Sequence, residues 1–140
     1  MKILTVLTYY RPHTSGLTIY AERLARAFAR RGHQVTVLTM QYDKSLPLEE
    51  TIDGVKVIRM PIILRVSKGV VAPSFGLVAT RLVWANDVVQ LHLPQFDAPG
   101  VAFRARLFGK PAVLTYHCDL QLPAGIFNRM VNLVMKFQNN

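Results

Sequence analysis

The 140-residue chain is short of cysteine and of acidic residues: it has one Cys, and 8 Asp and Glu against 17 Lys and Arg. A single cysteine, Cys118, excludes a disulfide framework within the chain and suits a reducing compartment. No Cys/His pattern has zinc-ligand spacing. No apolar run approaches the ~18–20 residues that span a bilayer. The apolar start after Met1 is broken by Thr5 and Thr8, and no cleavage-site pattern follows, so no signal peptide is expected. Two nucleotide-binding fingerprints are missing as well. The lack of G-x-x-x-x-G-K-[ST] argues against a P-loop NTPase, and without G-x-G-x-x-G a dinucleotide site is disfavoured. Internal repeats and low-complexity tracts are lacking too.

What is present is a core. Hydrophobic residues make up 51% and charged residues 18% of the chain, the balance of one well-buried globular domain. The formal net charge of +9 favours an anionic partner: nucleic acid, acidic lipid headgroups or phosphorylated small molecules. Charge alone does not choose among them.

Strand and helix patterns alternate. Residues 2–8 form a near-continuous apolar run, as in a strand covered on both faces. A polar loop follows at 9–15, and a helix is expected over 17–31, with Tyr20, Leu24, Ala27 and Phe28 as its apolar face. Glu22 and Arg30-Arg31 suit the two ends of its dipole, and Gly32 stops it. Residues 34–39 read as a second strand, 41–53 as a polar connection, and 55–59 as a third strand entered through Asp53-Gly54 and ended by Pro61. The expectation then is a loop to Pro73, a helix over 75–84, a strand over 87–92, a helix over 98–108, a strand over 111–116, and a last helix beyond Pro123. Five apolar strands mostly separated by helices imply an α/β fold, a doubly wound, mostly parallel Rossmann-like sheet with helices on both faces. The chain ends on a helix where a strand would be expected to follow, which suggests a domain cut before its natural end.

In such a sheet ligands bind beyond the C-terminal ends of the strands. Three segments should meet there: the loop at 9–15 with Gly16, the turn after His92, and the stretch from Tyr116 to Asp119. Ser15-Gly16 opens a helix, where free amides and the helix dipole attract an anion; an ordinary strand-to-helix turn is the other reading. His117, just past a strand end and near Asp119, can bond a sugar hydroxyl or phosphate or move a proton, or it is a loop histidine bonded to backbone. His92 and His13 are open between binding and structural roles, and His33, at the opposite edge, reads as structural. Cys118 lies between His117 and Asp119, but sequence neighbours in an extended segment point apart, which argues against a Cys–His nucleophile. The arginines of the first helix read as a solvated face, and Arg65 and Lys68, set among apolar residues, as a segment that could touch acidic lipid.

Taken in order, several stretches resemble family 4 glycosyltransferases. They are Met1–Leu4, Ser15-Gly16, Ala21 through Thr39, Asp53 through Val57, Asn86 through His92 and Pro111 through His117. The resemblance spans nearly the whole chain. It implies the N-terminal, acceptor-side half of a GT-B fold. A second domain, absent here, would bind the nucleotide-sugar donor, and transfer would retain anomeric configuration. It further implies that the first loop approaches the donor diphosphate and that His117 lies near the transferred sugar. Ser15, Gly16, His13, His92 and Asp119 are then candidates for donor or acceptor contact. No metal or organic cofactor is expected; the nucleotide-sugar is a substrate. The expected partners are that donor, a glycan, lipid or small-molecule acceptor, the missing domain, and an acidic membrane surface at the cytoplasmic face. The chain by itself is expected to be inactive. Two departures stand out. The first loop of the family usually carries two adjacent glycines where Ser15-Gly16 stands, and position 90, often histidine, is Gln90. A non-catalytic sugar- or lipid-binding domain and a nucleotide-binding module are the alternatives; no RNA-binding motif or series of stacking aromatics supports a nucleic-acid binder.

Overall fold

The computed structural model describes residues 1–62, 64–66, 69–71, 74–93, 95 and 97–117, with backbone alone at 64–66 and 69–71. Cys118, Asp119, Lys68 and the last expected helix lie outside the described residues. The elements are β1 (Lys2–Val6), α1 (Gly16–Arg30), β2 (Gln34–Gln41), β3 (Glu49–Ile52), β4 (Val55–Pro61), β5 (Leu64–Val66), β6 (Gly69–Val71), α2 (Phe75–Ala85), β7 (Val88–Leu93), α3 (Ala98–Leu107) and β8 (Ala112–Tyr116).

Six strands form one sheet in the order β3-β4-β2-β1-β7-β8. All neighbours are parallel except β3 and β4. The chain steps outward from β1 through β2 to β4, then returns to lay β7 on the other side of β1, where Leu4 pairs with both Thr36 and Val89. That reversal puts the topological switch point between β1 and β7, and a crevice is expected at their C-terminal ends.

The apolar runs are explained by two-sided burial. Leu4, Val6, Leu38, Val89, Leu91 and Leu93 pack with Phe75, Ala79 and Val83 of α2 and Ala98, Val101 and Ala105 of α3. On the other face Leu7, Val35, Val37, Val55 and Val57 meet Ala21 and Ala25 of α1. The expected doubly wound sheet with helices on both faces is therefore what forms.

Three details differ from the sequence reading. The buried residues of α1 are Thr18, Ala21, Glu22 and Ala25, while Tyr20 and Ala27 are exposed. The small Ala21 and Ala25 let the helix close on the sheet, and Glu22 tolerates burial through ion pairs with Arg11 (3.1 Å) and Arg26 (3.7 Å) rather than by serving the helix dipole. The expected polar connection at 41–53 holds an edge strand, β3, joined to β4 through Asp53 and Gly54, with φ of 50° and 79°. Two successive positive φ values make the hairpin turn whose twist matches its strands, so Asp-Gly here marks a hairpin and not just the start of a strand. The expected loop before Pro73 contains β5 and β6, paired antiparallel.

Candidate functional site

Beyond β1 the chain runs through residues 9–15 into α1. Ser15 is the N-cap, with extended backbone, and its Oγ accepts from the Thr18 amide at 3.2 Å. Thr18 is the node of this turn. Its hydroxyl accepts from Ser15 Oγ (3.0 Å), donates to the Tyr9 carbonyl (3.1 Å) and lies 3.3 Å from His13 Nδ1. The cap takes one orphan amide of the first turn. The amides of Gly16 and Leu17 have no partner among the described residues, and a Cβ placed on Gly16 would meet nothing within 4 Å. Free amides at the positive end of a 15-residue helix, beside a residue with no side chain, fit an anion. His13 packs instead among aromatic rings, its centroid 4.9 Å from that of Tyr9 and 5.3 Å from that of Tyr42.

The loop is clamped from beneath by Arg59. This side chain stands in the inward alternation Val55, Val57, Arg59 of β4 and is 1% exposed. Its guanidinium donates to the Arg11 carbonyl (2.7 Å) and the Pro47 carbonyl (3.0 Å) and pairs with Glu50 at 2.6 Å. A buried guanidinium needs its charge matched, and here Glu50 and two carbonyls take Nη1 and Nη2, while Nε has no partner among the described residues. The sequence signal was the charged residue at an apolar position of a period-two pattern.

The second half of the site stands on β7 and β8. His92 pairs in register with Thr115, so His117, two residues further along β8, lies diagonally across from it on the same face. The His117 amide donates to the Leu93 carbonyl at 3.1 Å, continuing the ladder by one bond. The two imidazoles stack at an interplanar angle of 25°, with His92 Nδ1 3.0 Å from His117 Nε2. Tyr20, one helical turn beyond Gly16, sets its ring edge-on at 5.1 Å from His117 and 6.0 Å from His92. His92 is fully buried and His117 half-buried. Burial, with the second imidazole as the lesser cause, lowers the pKa of His92 from 6.5 to about 4, and burial lowers that of His117 as well. Both rings are therefore neutral at physiological pH, able to donate or accept hydrogen bonds but carrying no fixed charge.

The structure thus brings Ser15, Gly16, His92 and His117 to one edge of the sheet, with Tyr20 between the two halves. His13 is near the loop but engaged by aromatic rings, and Asp119 lies outside the described residues. His33 sits at the opposite edge, its Nδ1 3.2 Å from the N-terminal amine. Sequence reading missed Tyr20, taken as a core residue, and Gln95. The latter follows β7, is 6% exposed, and has both amide atoms without partners among the described residues. At position 90 the glutamine is buried and accepts from the Thr5 hydroxyl at 3.4 Å. Among the described residues no three His, Cys, Asp or Glu are grouped so as to hold a metal ion.

The chain is 44% identical over 61 residues to an uncharacterized glycosyltransferase of Methanocaldococcus jannaschii, a match that takes in 43% of this chain and 15% of the relative. A crystal structure of Acinetobacter baumannii MurG aligns with 95% of this chain and 38% of its own, at 19% identity and a TM-score of 0.49. The chain therefore spans well under two thirds of the length of either. The model of the glycosyl transferase 4-like domain matches residues 15–137, and the chain belongs to that family.

Proposed function

We propose that this domain forms the acceptor side of a glycosyltransferase that moves a sugar from a nucleotide-sugar donor to a hydroxyl of a glycan, lipid or small molecule, with retention of configuration. The observation that carries the reading is the meeting, at one sheet edge, of an open helix N-terminus and a paired, neutral histidine. The Gly16 and Leu17 amides offer the donor diphosphate fixed dipoles that need no reorganisation as charge develops on the leaving group. His117 offers a ring nitrogen to a sugar hydroxyl. A donor-binding domain facing this edge would complete the cleft and exclude water.

The test is sugar transfer by the full-length protein against a panel of nucleotide sugars. His117→Ala should lower kcat roughly tenfold or more while leaving KM less affected, if the residue acts mainly in the transition state. Unchanged activity would remove His117 from the site, and tight sugar binding without turnover by the wild type would favour a non-catalytic binding domain.

Attachment to an acidic membrane face is part of this proposal. No described helix is long and apolar enough to cross a membrane. However, α2 and α3 expose Leu77, Trp84, Phe103 and Leu107, carry Arg81, Arg104 and Arg106, and contain no acidic residue. Cosedimentation with anionic vesicles should weaken as salt shortens the screening length to roughly 8 Å at physiological ionic strength. Equal binding to zwitterionic vesicles would sink the electrostatic part.

A further inference from the structure

Two neutral imidazoles at hydrogen-bonding distance share one proton, so one ring donates and the other accepts. His92 Nδ1 and His117 Nε2 are such a pair at 3.0 Å. The two assignments leave His117 with opposite chemistry. If His92 donates, both rings carry their proton on Nδ1, and His117 presents an N–H. If His117 donates, both rings carry their proton on Nε2, and His117 presents a bare lone pair at Nδ1. The second assignment uses, at both positions, the tautomer that neutral histidine ordinarily prefers. In both assignments the buried Nε2 of His92 is without a partner among the described residues, as a bare lone pair if His92 donates and as an N–H if His117 donates. His117 is also held at its backbone by Leu93 and flanked by the Tyr20 ring, while no described residue bonds its Nδ1.

We propose that His92 is a positioning residue: its Nδ1 accepts the Nε2–H of His117, fixes that ring's tautomer and orientation, and leaves His117 Nδ1 as the acceptor for a sugar hydroxyl. The use made of that acceptor rests on the transferase reading; the tautomer does not. A hydrogen-bond donor on the substrate is required, so a deoxy sugar lacking the hydroxyl would leave the lone pair unmatched, at the cost of an unpaired polar group.

Long-range proton–nitrogen NMR of the histidine rings, on the full chain without substrate at neutral pH, tests the assignment. In the wild type, His117 should show a protonated Nε2 and a bare Nδ1. His92→Phe keeps a ring in the cavity but removes the acceptor, and should raise the Nδ1–H share of neutral His117 roughly fivefold, the bias that a hydrogen bond of typical net strength sustains. His92→Asn, whose Oδ1 occupies the place of Nδ1, should restore the wild-type pattern. An Nδ1–H tautomer of His117 in the wild type overturns the proposal, as does a spectrum of His117 that is the same in wild type and His92→Phe. Should His92→Phe fail to fold, the wild type and His92→Asn still decide, since Nε2–H is required in both. The expected tautomer together with no transfer from any donor would reject the transferase reading and leave the pairing intact.

Discussion

Acid should destabilise this domain through His92 before it reaches the carboxylates. The ring is fully buried, and its pKa in the folded state is lowered from 6.5 to about 4. Between those values the unfolded chain binds a proton that the folded chain does not, so stability rises with pH and falls on acidification. The contribution is intact above pH 6.5 and is lost progressively as pH falls towards 4. A tenfold change in a protonation equilibrium corresponds to about 1.36 kcal/mol, so moving from pH 7.5 to pH 5 should remove about 2 kcal/mol through this ring alone. His117, lowered by burial, adds loss in the same direction. Stopping at pH 5 leaves ordinary carboxylates ionised. The assay is urea unfolding at both pH values for wild type and His92→Phe. The variant lacks the titrating ring, so its pH-dependent loss should be smaller by about 2 kcal/mol. Parallel losses in the two proteins would refute the reasoning, whatever the absolute stability of the variant.

Two further outcomes follow from the first loop. Ser15→Ala removes the Oγ that caps the Thr18 amide and should cost about 1 kcal/mol in urea unfolding. Arg59→Met keeps an unbranched stem but ends short of the guanidinium, leaving Glu50 and the carbonyls of Arg11 and Pro47 without their donor. It should cost roughly 2–3 kcal/mol, below the full penalty of breaking a buried pair because Glu50 is partly exposed. Amide exchange in residues 9–15 should accelerate more than in β1; equal acceleration in both would mean the effect is global rather than a released loop.

The alternation of patterns was enough to read the architecture, because parallel strands buried on both faces leave unbroken apolar runs such as Ile3-Leu4 and Val88-Val89. It was not enough to read β3. Glu49 and Glu50 look like loop residues, and their strand is made by an edge position and by partners further along the chain, Lys56 for Glu49 and Arg59 for Glu50. The face of α1 was misread for a related reason. Tyr20 is among its largest side chains with an apolar body, yet the sheet takes the small Ala21 and Ala25, and the ring is used at the rim against two histidines. Hydrophobicity ranks residues by transfer energy, whereas the spacing between helix and sheet is set by size. The placement of His92 and His117 at strand ends was visible in the α/β alternation. Their pairing needed the register of β7 on β8, which a single sequence does not print.

That register also explains how the parts of the site keep a fixed spacing. His92 is inside β7, a strand laddered to β1 and β8 on its two sides, and its side chain is fully buried. The residues of the proposed site that would face a substrate lie in loops and at element ends, which can be aimed but also drift. Each loop residue is therefore tied back to something rigid. His117 is held by the Leu93 carbonyl and by the His92 ring. The first loop is held by Arg59 from β4 and by Thr18 from α1. Tyr20 couples the two halves, since one helical turn, about 5.4 Å, separates it from Gly16 and its ring lies against both imidazoles. A group bound at the free amides of α1 and a hydroxyl bound at His117 would then be presented in one geometry, with the ordering paid during folding and not on binding. The buried, polar side chains at this edge are consistent with that arrangement: they stabilise the fold less than apolar residues would, and what they provide instead is position.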